Sequence, residues 1–425
     1  MKIQQISQNI TPFAGISFIN EEFKTSGLNQ LIDNHLGIRP STRGYRYSDI
    51  IRNYNHLFYC GGDCAEDIQQ HLGKDLNSIP GNRVCSADTL LRGIKELTVE
   101  NETFVSRQGK TYRFNGNEKL NRLNIAVLLH TKQLEKGKSY DFDYDNQIIA
   151  TDKYDAQNTY KKTKGYCPGI GTIGDKVVYV EGRDGNANVK FEQAGTLERA
   201  CKLLEDRGIK VYRSRMDAGS YAREIIDVVD EHSELFYIRA HKCENVELQI
   251  RGIENWTCTE INHIPCEVAS IVFTQFFEER KYRLVVMREK TDNAQLNLFT
   301  GDNLKYRCIL TNDWGNSEKE IITYYNARGG SERILDVMNN DFGWSHLPCS
   351  FLNENTAFMI LTAIMKNIFN YIVEKFSKVF NGIKATMRMK RFTFRFISVA
   401  GKWVYSGRQW ILKLYTDRNY GGIVT

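Results

Sequence analysis

The chain has 425 residues, of which 41% are hydrophobic and 25% are charged, and a net charge of +6. This composition excludes disordered and collagen-like proteins, and the length predicts about two to four domains. The N-terminus lacks the apolar run of a secretory signal, and the most apolar later stretch, 355–365, is shorter than the roughly 20 residues of a membrane-spanning helix. We therefore expect a cytoplasmic protein without a membrane segment, whose ten cysteines are reduced.

Positive charge is concentrated near the C-terminus. Residues 375–418 contain eleven Lys or Arg and a single acid, Asp417. A segment with this balance is attracted to polyanions, and nucleic acid is the commonest of them. The charge pattern therefore predicts a DNA or RNA partner.

The N-terminal 115 residues predict short helices, with a strand or two near the start. Ser86 has the residue type and position of a helix N-cap before an apolar run. Short helices joined by glycine turns are compatible with a helix-turn-helix DNA reader, and helices that merely pack together are the alternative. Cys60 and Cys64 have no second Cys or His pair at zinc-finger spacing, so core thiols are favoured over a metal site.

From residue 116 onward, the apolar pattern alternates between the periods of strand and helix. This alternation predicts an α/β fold, which a β-rich stretch at 249–310 interrupts before the chain becomes helical again from Ser331. The predicted elements, in order, are a helix at 118–132, strands at 140–149, 169–173 and 176–180, a helix at 191–207, a strand at 211–216, a helix at 221–231 and a strand at 235–238.

The strand at 140–149 carries an unusual acidic face. Side chains alternate along a strand, so Asp141, Asp143 and Asp145 share one face, whereas Phe142 and Tyr144 share the other. A solvated edge strand would show the same pattern, and this alternative stays open at the level of sequence. The other interpretation is a cluster of carboxylates with a chemical role.

Two further acids follow at positions where α/β proteins place functional residues. Asp217 ends the apolar strand at 211–216, and Glu332 lies in the first turn of a helix after a Gly-Gly break, where helix capping is the alternative. If these acids and Asp145 converged, each pair at about 4 Å would repel by roughly 4 kcal/mol at an effective dielectric constant near 20. Divalent cations would remove this repulsion, and oxygen ligands favour Mg²⁺ or Mn²⁺ over zinc.

Other ligand-binding motifs have weaker support. Gly169 to Gly174 matches G-x-G-x-x-G, but a β-branched run follows instead of a helix, so a hairpin is predicted and a dinucleotide site is not. A zinc site is a second alternative, although the spacing of its candidate ligands fits no common zinc module. These candidates are His241, Cys243, Cys258, His263 and Cys266.

The chain resembles the DDE transposases of bacterial insertion sequences. Within them it resembles the group with a Tyr-x2-Arg-x3-Glu-x6-Lys signature, and in particular the insertion sequence 1380 type. Tyr325, Arg328 and Glu332 match this signature in type and spacing, whereas Asn339 stands in place of its Lys. The resemblance covers about residues 10 to 370.

Two more blocks carry the resemblance. Asp145, with Asp143 as its neighbour, lies in a segment that resembles the one with the first acid of the family, and Asp217-Ala-Gly-Ser-Tyr resembles the motif of the second acid. The segment that begins at Gly182, Gly-Arg-Asp-Gly-Asn, resembles a loop between them.

The resemblance implies a ribonuclease H-like catalytic core with a β-rich insertion. It further implies a helical N-terminal DNA-binding region that holds the transposon ends and a helical, basic C-terminal region. The expected domains are the N-terminal region at 1–115, the first part of the core at 116–245, the insertion at 246–312, the end of the core at 313–370 and the basic region at 371–425.

The implied activity is metal-dependent cleavage of DNA at transposon ends, followed by strand transfer into target DNA. Asp145, Asp217 and Glu332 are the expected catalytic residues and ligands of two Mg²⁺ or Mn²⁺ ions, with Asp145 between the ions. Tyr325 and Arg328 are expected to contact DNA phosphate, and Trp314 or Trp256 to stack on a displaced base, with core packing as the alternative for both Trp residues.

Double-stranded DNA is the expected partner, as terminal inverted repeats and as target. Synapsis of two ends implies a homodimer in a bacterial cytoplasm. Two alternatives remain open, a catalytically silent DNA-binding protein derived from a transposase and a host nuclease of the same fold.

Overall fold

The computed structural model describes residues 1–5, 8–40, 44–241, 244–277, 279–290 and 303–423. The helices in this part of the chain are α1 (Ile16–Thr25), α2 (Leu28–Leu36), α3 (Tyr47–Tyr59), α4 (Gly73–Asn77), α5 (Ala87–Lys95), α6 (Glu118–His130), α7 (Gln193–Glu205), α8 (Arg223–His232), α9 (Glu244–Arg251), α10 (Glu318–Asn326), α11 (Gly330–Asp341), α12 (Leu352–Ser377) and α13 (Met389–Phe392). The strands are β1 (Glu102–Val105), β2 (Thr111–Asn115), β3 (Ser139–Asn146), β4 (Ile149–Ala150), β5 (Gln157–Asn158), β6 (Lys164–Tyr166), β7 (Gly169–Ile173), β8 (Lys176–Arg183), β9 (Lys210–Met216), β10 (Ser233–Arg239), β11 (Thr257–Ile261), β12 (Ile264–Phe273), β13 (Tyr282–Lys290), β14 (Leu304–Thr311), β15 (Ala400–Ser406) and β16 (Gln409–Tyr415).

An eleven-stranded mixed sheet organises the fold, with the strand order β1-β2-β8-β7-β3-β9-β10-β14-β13-β12-β11. β3 lies inside this sheet, antiparallel to β7 and parallel to β9, and β9 is parallel to β10. The acidic strand is therefore not an edge strand, which removes the alternative that the sequence left open.

The centre of the sheet follows the predicted order of elements. Within the main sheet, β3, β7, β8, α7, β9, α8 and β10 follow as three strands, a helix, a strand, a helix and a strand, so this prediction is confirmed. Three short strands that were not predicted, β4, β5 and β6, lie between β3 and β7 and form a separate sheet. The glycine run at 169–174 forms the start of the β7–β8 hairpin, with Gly174 at a φ of 59° in the turn. No helix begins at these glycines, as the sequence predicted.

The β-rich stretch extends the same sheet. β14 pairs with β10 in antiparallel fashion, with Tyr237 opposite Thr311, and β13, β12 and β11 follow outward. Residues of the expected insertion thus continue the hydrogen-bond ladder of the central strands instead of forming a sheet of their own.

The long apolar helix α12 is the packing centre on one face of the sheet. An 18-residue window of it has a mean hydropathy of 1.4, enough to span a membrane by composition, but 89% of that window is buried inside the protein. Asn367 donates from Nδ2 to the Val177 carbonyl at 2.7 Å and to Asn124 Oδ1 at 2.9 Å, which ties α12 to β8 and α6. The apolar helix is longer than the stretch 355–365 identified from the sequence, and it lies in the core.

The first and last parts of the chain share one hydrophobic core around α12. The ring of Phe396 lies 5.8 Å from that of Phe18, 5.0 Å from that of Phe376 and 5.3 Å from that of Tyr420. The strands of the N-terminal region lie at its end, at β1 and β2, and not near its start as expected. β2 pairs with β8, so this region also contributes to the main sheet.

The prediction of a helical C-terminal region is wrong beyond α13 and the π-helix Thr393–Ile397 that follows it. β15 and β16 form an antiparallel hairpin, with Ser406 opposite Gln409. Gly407 and Arg408 occupy the turn with φ values of 59° and 62°, and positive φ at both turn residues matches the twist of the two strands. The alternating aromatic and β-branched residues between 402 and 412 are the local cause, and the abundance of basic residues obscured this period.

Candidate active site

Two of the predicted acids meet where two parallel strands end. Tyr144 of β3 is opposite Met216 of β9, so Asp145 and Asp217 follow at neighbouring positions. Asp217 Oδ1 accepts a hydrogen bond from the Gly219 N–H at 2.9 Å, which fixes this carboxylate at the start of a 3-10 turn. The carboxyl ends of adjacent parallel strands are where α/β sheets place functional residues.

The other two acids of β3 are neutralised by arginines of β9. Arg213 binds Asp141 at 2.6 Å and Arg215 binds Asp143 at 2.6 Å, each through two hydrogen bonds. Phe142 and Tyr144 are buried on the opposite face, so the predicted alternation is confirmed. No arginine of β9 pairs with Asp145, so this is the acid of β3 whose charge the neighbouring strand does not neutralise.

Arg328 reaches Asp145 from a different part of the chain. Its Nη2 atom lies 3.0 Å from Asp145 Oδ2 and 3.4 Å from the Tyr144 carbonyl oxygen. Burial raises the pKa of the Asp145 carboxyl, Arg328 works against that increase, and the nearby charge of Asp217 adds to it, so that the pKa stays above its ordinary value. Asp145 and Asp217 therefore repel each other, and a single guanidinium only partly compensates for this.

The end of α10 is fastened to the same strand ends. Tyr325 donates its hydroxyl to the Met216 carbonyl at 3.0 Å, and Arg215 donates from Nη1 to the Tyr324 carbonyl at 2.9 Å. Tyr325 is 8% exposed, and burial raises its pKa to about 12. Its hydroxyl therefore points into the protein and not, as the sequence predicted, towards a DNA phosphate. In this position Tyr325 holds the end of α10 against β9.

Glu332 lies one helical turn beyond Arg328. A 3-10 turn at Ala327–Gly329 joins α10 to α11, so the two residues are four apart on a continuous helical segment, the spacing of neighbours on one face. The side chain is exposed and makes no ion pair or hydrogen bond to any residue that the structure describes. Asp145 and Asp217 are thus brought together, whereas no hydrogen bond or ion pair among the described residues joins Glu332 to either of them.

Among the described residues, the group of three potential ligands whose atoms lie within 4.8 Å of one another is Asp63, Cys64 and Asp67. The three predicted acids do not reach that mutual distance. The zinc candidates do not either, as far as they are described: Cys258 and His263 are exposed, Cys266 is buried, and Cys243 lies outside the described residues.

The two tryptophans have different surroundings. Trp314 lies in the loop between β14 and α10 and is 53% exposed. Trp256 packs beneath Arg288, whose guanidinium carbon is 3.9 Å from the ring centroid, and beside Tyr306. Of the two, Trp314 has the ring that is accessible to a ligand.

The roles of Arg213 and Arg215 were not predicted from the sequence. A signal for them exists, because Arg213, Arg215 and Asp217 alternate along β9 with the same period as the three acids along β3. Two adjacent parallel strands with opposite charges in the same alternation will pair on one face. At the last position of this alternation β9 is followed by Asp217 and not by an arginine, so that Asp217 lies beside Asp145.

Comparisons with known proteins agree with a family assignment. The sequence matches the family profile described as transposase DDE domain group 1 over residues 1–424. No curated protein matches it. Among the solved structures that match is a cryo-EM structure of a piggyBac transposase synaptic complex with hairpin DNA, with 11% sequence identity, coverage of 91% of this chain and 79% of that chain, and a TM-score of 0.45. Because the family profile spans nearly the whole sequence, the chain belongs to the transposase DDE domain group 1 family.

Proposed function

We propose that the protein is an active transposase that cleaves DNA at transposon ends and joins the freed strand to target DNA. The observation that carries this proposal is the juxtaposition of Asp145 and Asp217 at the ends of parallel strands, with Arg328 bound to the first. The strand order β8-β7-β3-β9-β10, an antiparallel meander followed by two parallel strands, supports a ribonuclease H-like core. The spacing of Tyr325, Arg328 and Glu332 supports the insertion sequence 1380 type.

The residues at this site fit divalent metal ions. All donors are carboxylate oxygens, which Mg²⁺ and Mn²⁺ prefer, and Asp145 and Asp217 are close enough for the charge of one to raise the pKa of the other. Asp145, Asp217 and Glu332 would hold the ions. When bound, such ions activate the attacking oxygen, stabilise the leaving oxygen and neutralise charge at phosphorus.

The protein residues have separate tasks in this proposal. Asp217 is held by the Gly219 N–H, so its orientation is set before DNA arrives. Arg328 neutralises Asp145 in the absence of other cations and can turn to a DNA phosphate, since guanidinium groups bind carboxylate and phosphate alike. Tyr325 is a positioning residue, because its bond to Met216 fixes the helix from which Glu332 projects.

Double-stranded DNA, as terminal inverted repeats and as target, is the proposed partner, with a homodimer in synapsis. The test is nicking of a duplex that carries the terminal inverted repeats flanking the coding sequence, with Mg²⁺ or Mn²⁺ and with chelator. Wild-type protein is expected to nick only with metal, and Asp217→Asn and Glu332→Gln to lose activity at least 100-fold.

Asp336→Asn is the matched control, since Asp336 is another exposed acid of α11 and pairs with Arg388 outside the site. It should retain nicking. If wild type and Asp217→Asn nick equally, the proposal fails. Binding of the repeats without cleavage in any metal would identify a silent DNA-binding protein, and cleavage without strand joining would identify a nuclease.

A further inference from the structure

The C-terminal hairpin has an anchored base and an exposed tip. The base is fixed to the N-terminal segment by reciprocal backbone hydrogen bonds between Thr11 and Gly401, at 3.0 and 2.9 Å. Leu412 and Leu414 pack against the hydrophobic core on the same side. At the other end, Tyr405 and Trp410 lie opposite each other with 61% and 54% exposure. The hairpin is therefore a two-stranded ribbon whose tip is exposed beyond its anchored base.

The outward face of the ribbon carries an unfavourable pair. Lys402 and Lys413 are directly opposite each other in the antiparallel register, on the face that does not cover the core. Like charges at opposed positions destabilise a two-stranded ribbon. No acid lies beside them on this face, where Val404 and Ile411 form the next pair. An anion bound between the two ammonium groups would turn this repulsion into attraction.

The cations around the ribbon are also without counter-ions. Within the part of the chain that the structure describes, the seven basic residues between 389 and 418 form no ion pair. Arg418 donates to the carbonyls of Phe394 and Arg395, and the other six are Lys390, Arg391, Arg395, Lys402, Arg408 and Lys413. We call these six residues the cationic surface. The single acid between residues 389 and 418 is Asp417.

The charge decides between two occupants of this surface. A second copy of the chain docked symmetrically would bring six cations against the same six cations, which is unfavourable. A DNA duplex instead offers one phosphate per 1.7 Å of helix axis, and a two-stranded ribbon fits the major groove, which is about 12 Å wide. Exposed aromatic residues at the tip are suited to contact base edges or to wedge between base steps.

One residue of the cationic surface, Lys390, lies beside the helix that carries Glu332. Lys390 and Phe394 line a cavity of about 640 Å³ together with Asn339 and Asn340 of α11. Asn339 is seven residues, or about 10 Å, beyond Glu332, on the same side of the helix. DNA bound at Lys390 would therefore pass beside the C-terminal half of α11, where Asp341 also lines the cavity.

We propose that the β15–β16 hairpin is a DNA-binding ribbon, in which Lys402 and Lys413 on the outward face and Arg408 in the turn contact phosphates of a duplex. The Tyr405–Trp410 pair lies on the opposite face, beyond the leucines that pack on the core, and contacts the bases from the exposed tip. This inference rests on the proposed function for the identity of the polyanion. It adds a specific surface, outside the acidic site, that holds the duplex while the chemistry takes place.

The experiment measures the affinity of the full-length protein for a short duplex between about 50 and 200 mM salt, in chelator so that no cleavage occurs. Lys402→Ala/Lys413→Ala is expected to reduce the slope of log affinity against log salt by about 1.8, because each phosphate contact contributes about 0.9. Trp410→Ala should weaken binding while the slope stays unchanged, because it removes no charge.

The matched control is Lys136→Ala/Lys210→Ala, which removes one cation three residues before β3 and one at the first residue of β9, at the opposite end of these strands from Asp145 and Asp217. It should leave the slope unchanged. An unaltered slope in Lys402→Ala/Lys413→Ala would overturn the inference, and so would a change in the oligomeric state of Trp410→Ala without DNA, which would identify a protein interface. Thermal unfolding of each variant separates a folding defect from lost binding.

The two proposals fail in different ways. Metal-dependent nicking that disappears in Asp217→Asn, together with an unaltered salt slope in the hairpin variant, would refute the ribbon alone. A reduced slope together with equal nicking by wild type and Asp217→Asn would refute the catalytic proposal and leave the ribbon in place.

Discussion

Replacement of Arg328 by Met tests whether Asp145 belongs to a cation site. The Nη2–Oδ2 distance of 3.0 Å gives a gross attraction of about 5.5 kcal/mol at an effective dielectric constant of 20. The two side chains are 12% and 20% exposed, and breaking a buried pair of this kind costs about 3 to 5 kcal/mol because a charge is left without a partner. We expect Arg328→Met to lower the free energy of unfolding by about 3 kcal/mol in chelator.

Mg²⁺ should then restore much of this loss. A ligand at one hundred times its dissociation constant stabilises the folded state by about 2.7 kcal/mol, and the unpaired carboxylates of Arg328→Met offer Mg²⁺ a site with no competing arginine. Urea denaturation with and without Mg²⁺ measures the difference. The matched control is Arg213→Met, which removes the partner of Asp141 away from the proposed site. Equal Mg²⁺ stabilisation of Arg328→Met and Arg213→Met would refute this reasoning.

The pH dependence of the same variant has a defined sign. Because the pKa of Asp145 is raised in the folded protein, the folded chain binds more protons than the unfolded chain between the ordinary value of 3.8 and the raised pKa. Stability therefore falls as the pH rises through this window. Arg328→Met removes the contribution that lowers this pKa, so the window extends to higher pH and the loss of stability is greater at neutral than at acidic pH.

Three further outcomes follow from contacts in the core. Tyr325→Phe is expected to lose about 1 kcal/mol of stability and a larger share of nicking activity, because the hydrogen bond to Met216 fixes the helix of Glu332; urea denaturation and nicking assays measure the two effects. Burial lowers the pKa of Lys366 to about 8. As the pH rises from 8 towards 10.5, the free energy of unfolding of wild type should therefore increase by up to about 3 kcal/mol relative to that of Lys366→Met. Urea denaturation at the two pH values measures this, and an equal change in both proteins would contradict it. A Cβ at Gly182 would lie 1.9 Å from Thr356 Oγ1, so Gly182→Ala should lower the free energy of unfolding by about 1 to 3 kcal/mol. Addition of Thr356→Ala should recover part of this loss. Gly329→Ala is the control, because a Cβ there would have open space around it and should not destabilise the protein.

The elements of the central sheet could be predicted because their signals are local. Gly169 to Gly174 could be assigned to a hairpin because a β-branched run follows it within a few residues. The acidic face of β3 could be predicted for the same reason, because about five residues are enough to show that acids and aromatic residues alternate along the strand. The hairpin at 400–415 carried an equally local signal, and its basic residues led to the wrong assignment.

Which acid of β3 has no arginine partner on β9 could not be predicted from local signals. Asp141, Asp143 and Asp145 are equivalent in sequence, and they differ only because β9 pairs beside β3 with 72 residues between the partners of each ion pair. The alignment of the two strands is a property of the fold. Arg328 is farther still, 183 residues from Asp145, and it reaches the site because Tyr325 anchors its helix.

The position of Glu332 follows from the same balance of charge. Arg328 pairs with Asp145, and a third carboxylate at about 4 Å from both Asp145 and Asp217 would add two repulsions of roughly 4 kcal/mol each at an effective dielectric constant of about 20. Glu332 is exposed to solvent, which screens its charge. Divalent cations offset this repulsion, since they turn every added carboxylate into a ligand. That Glu332 joins Asp145 and Asp217 therefore stays a prediction, and the loss of nicking expected in Glu332→Gln tests it.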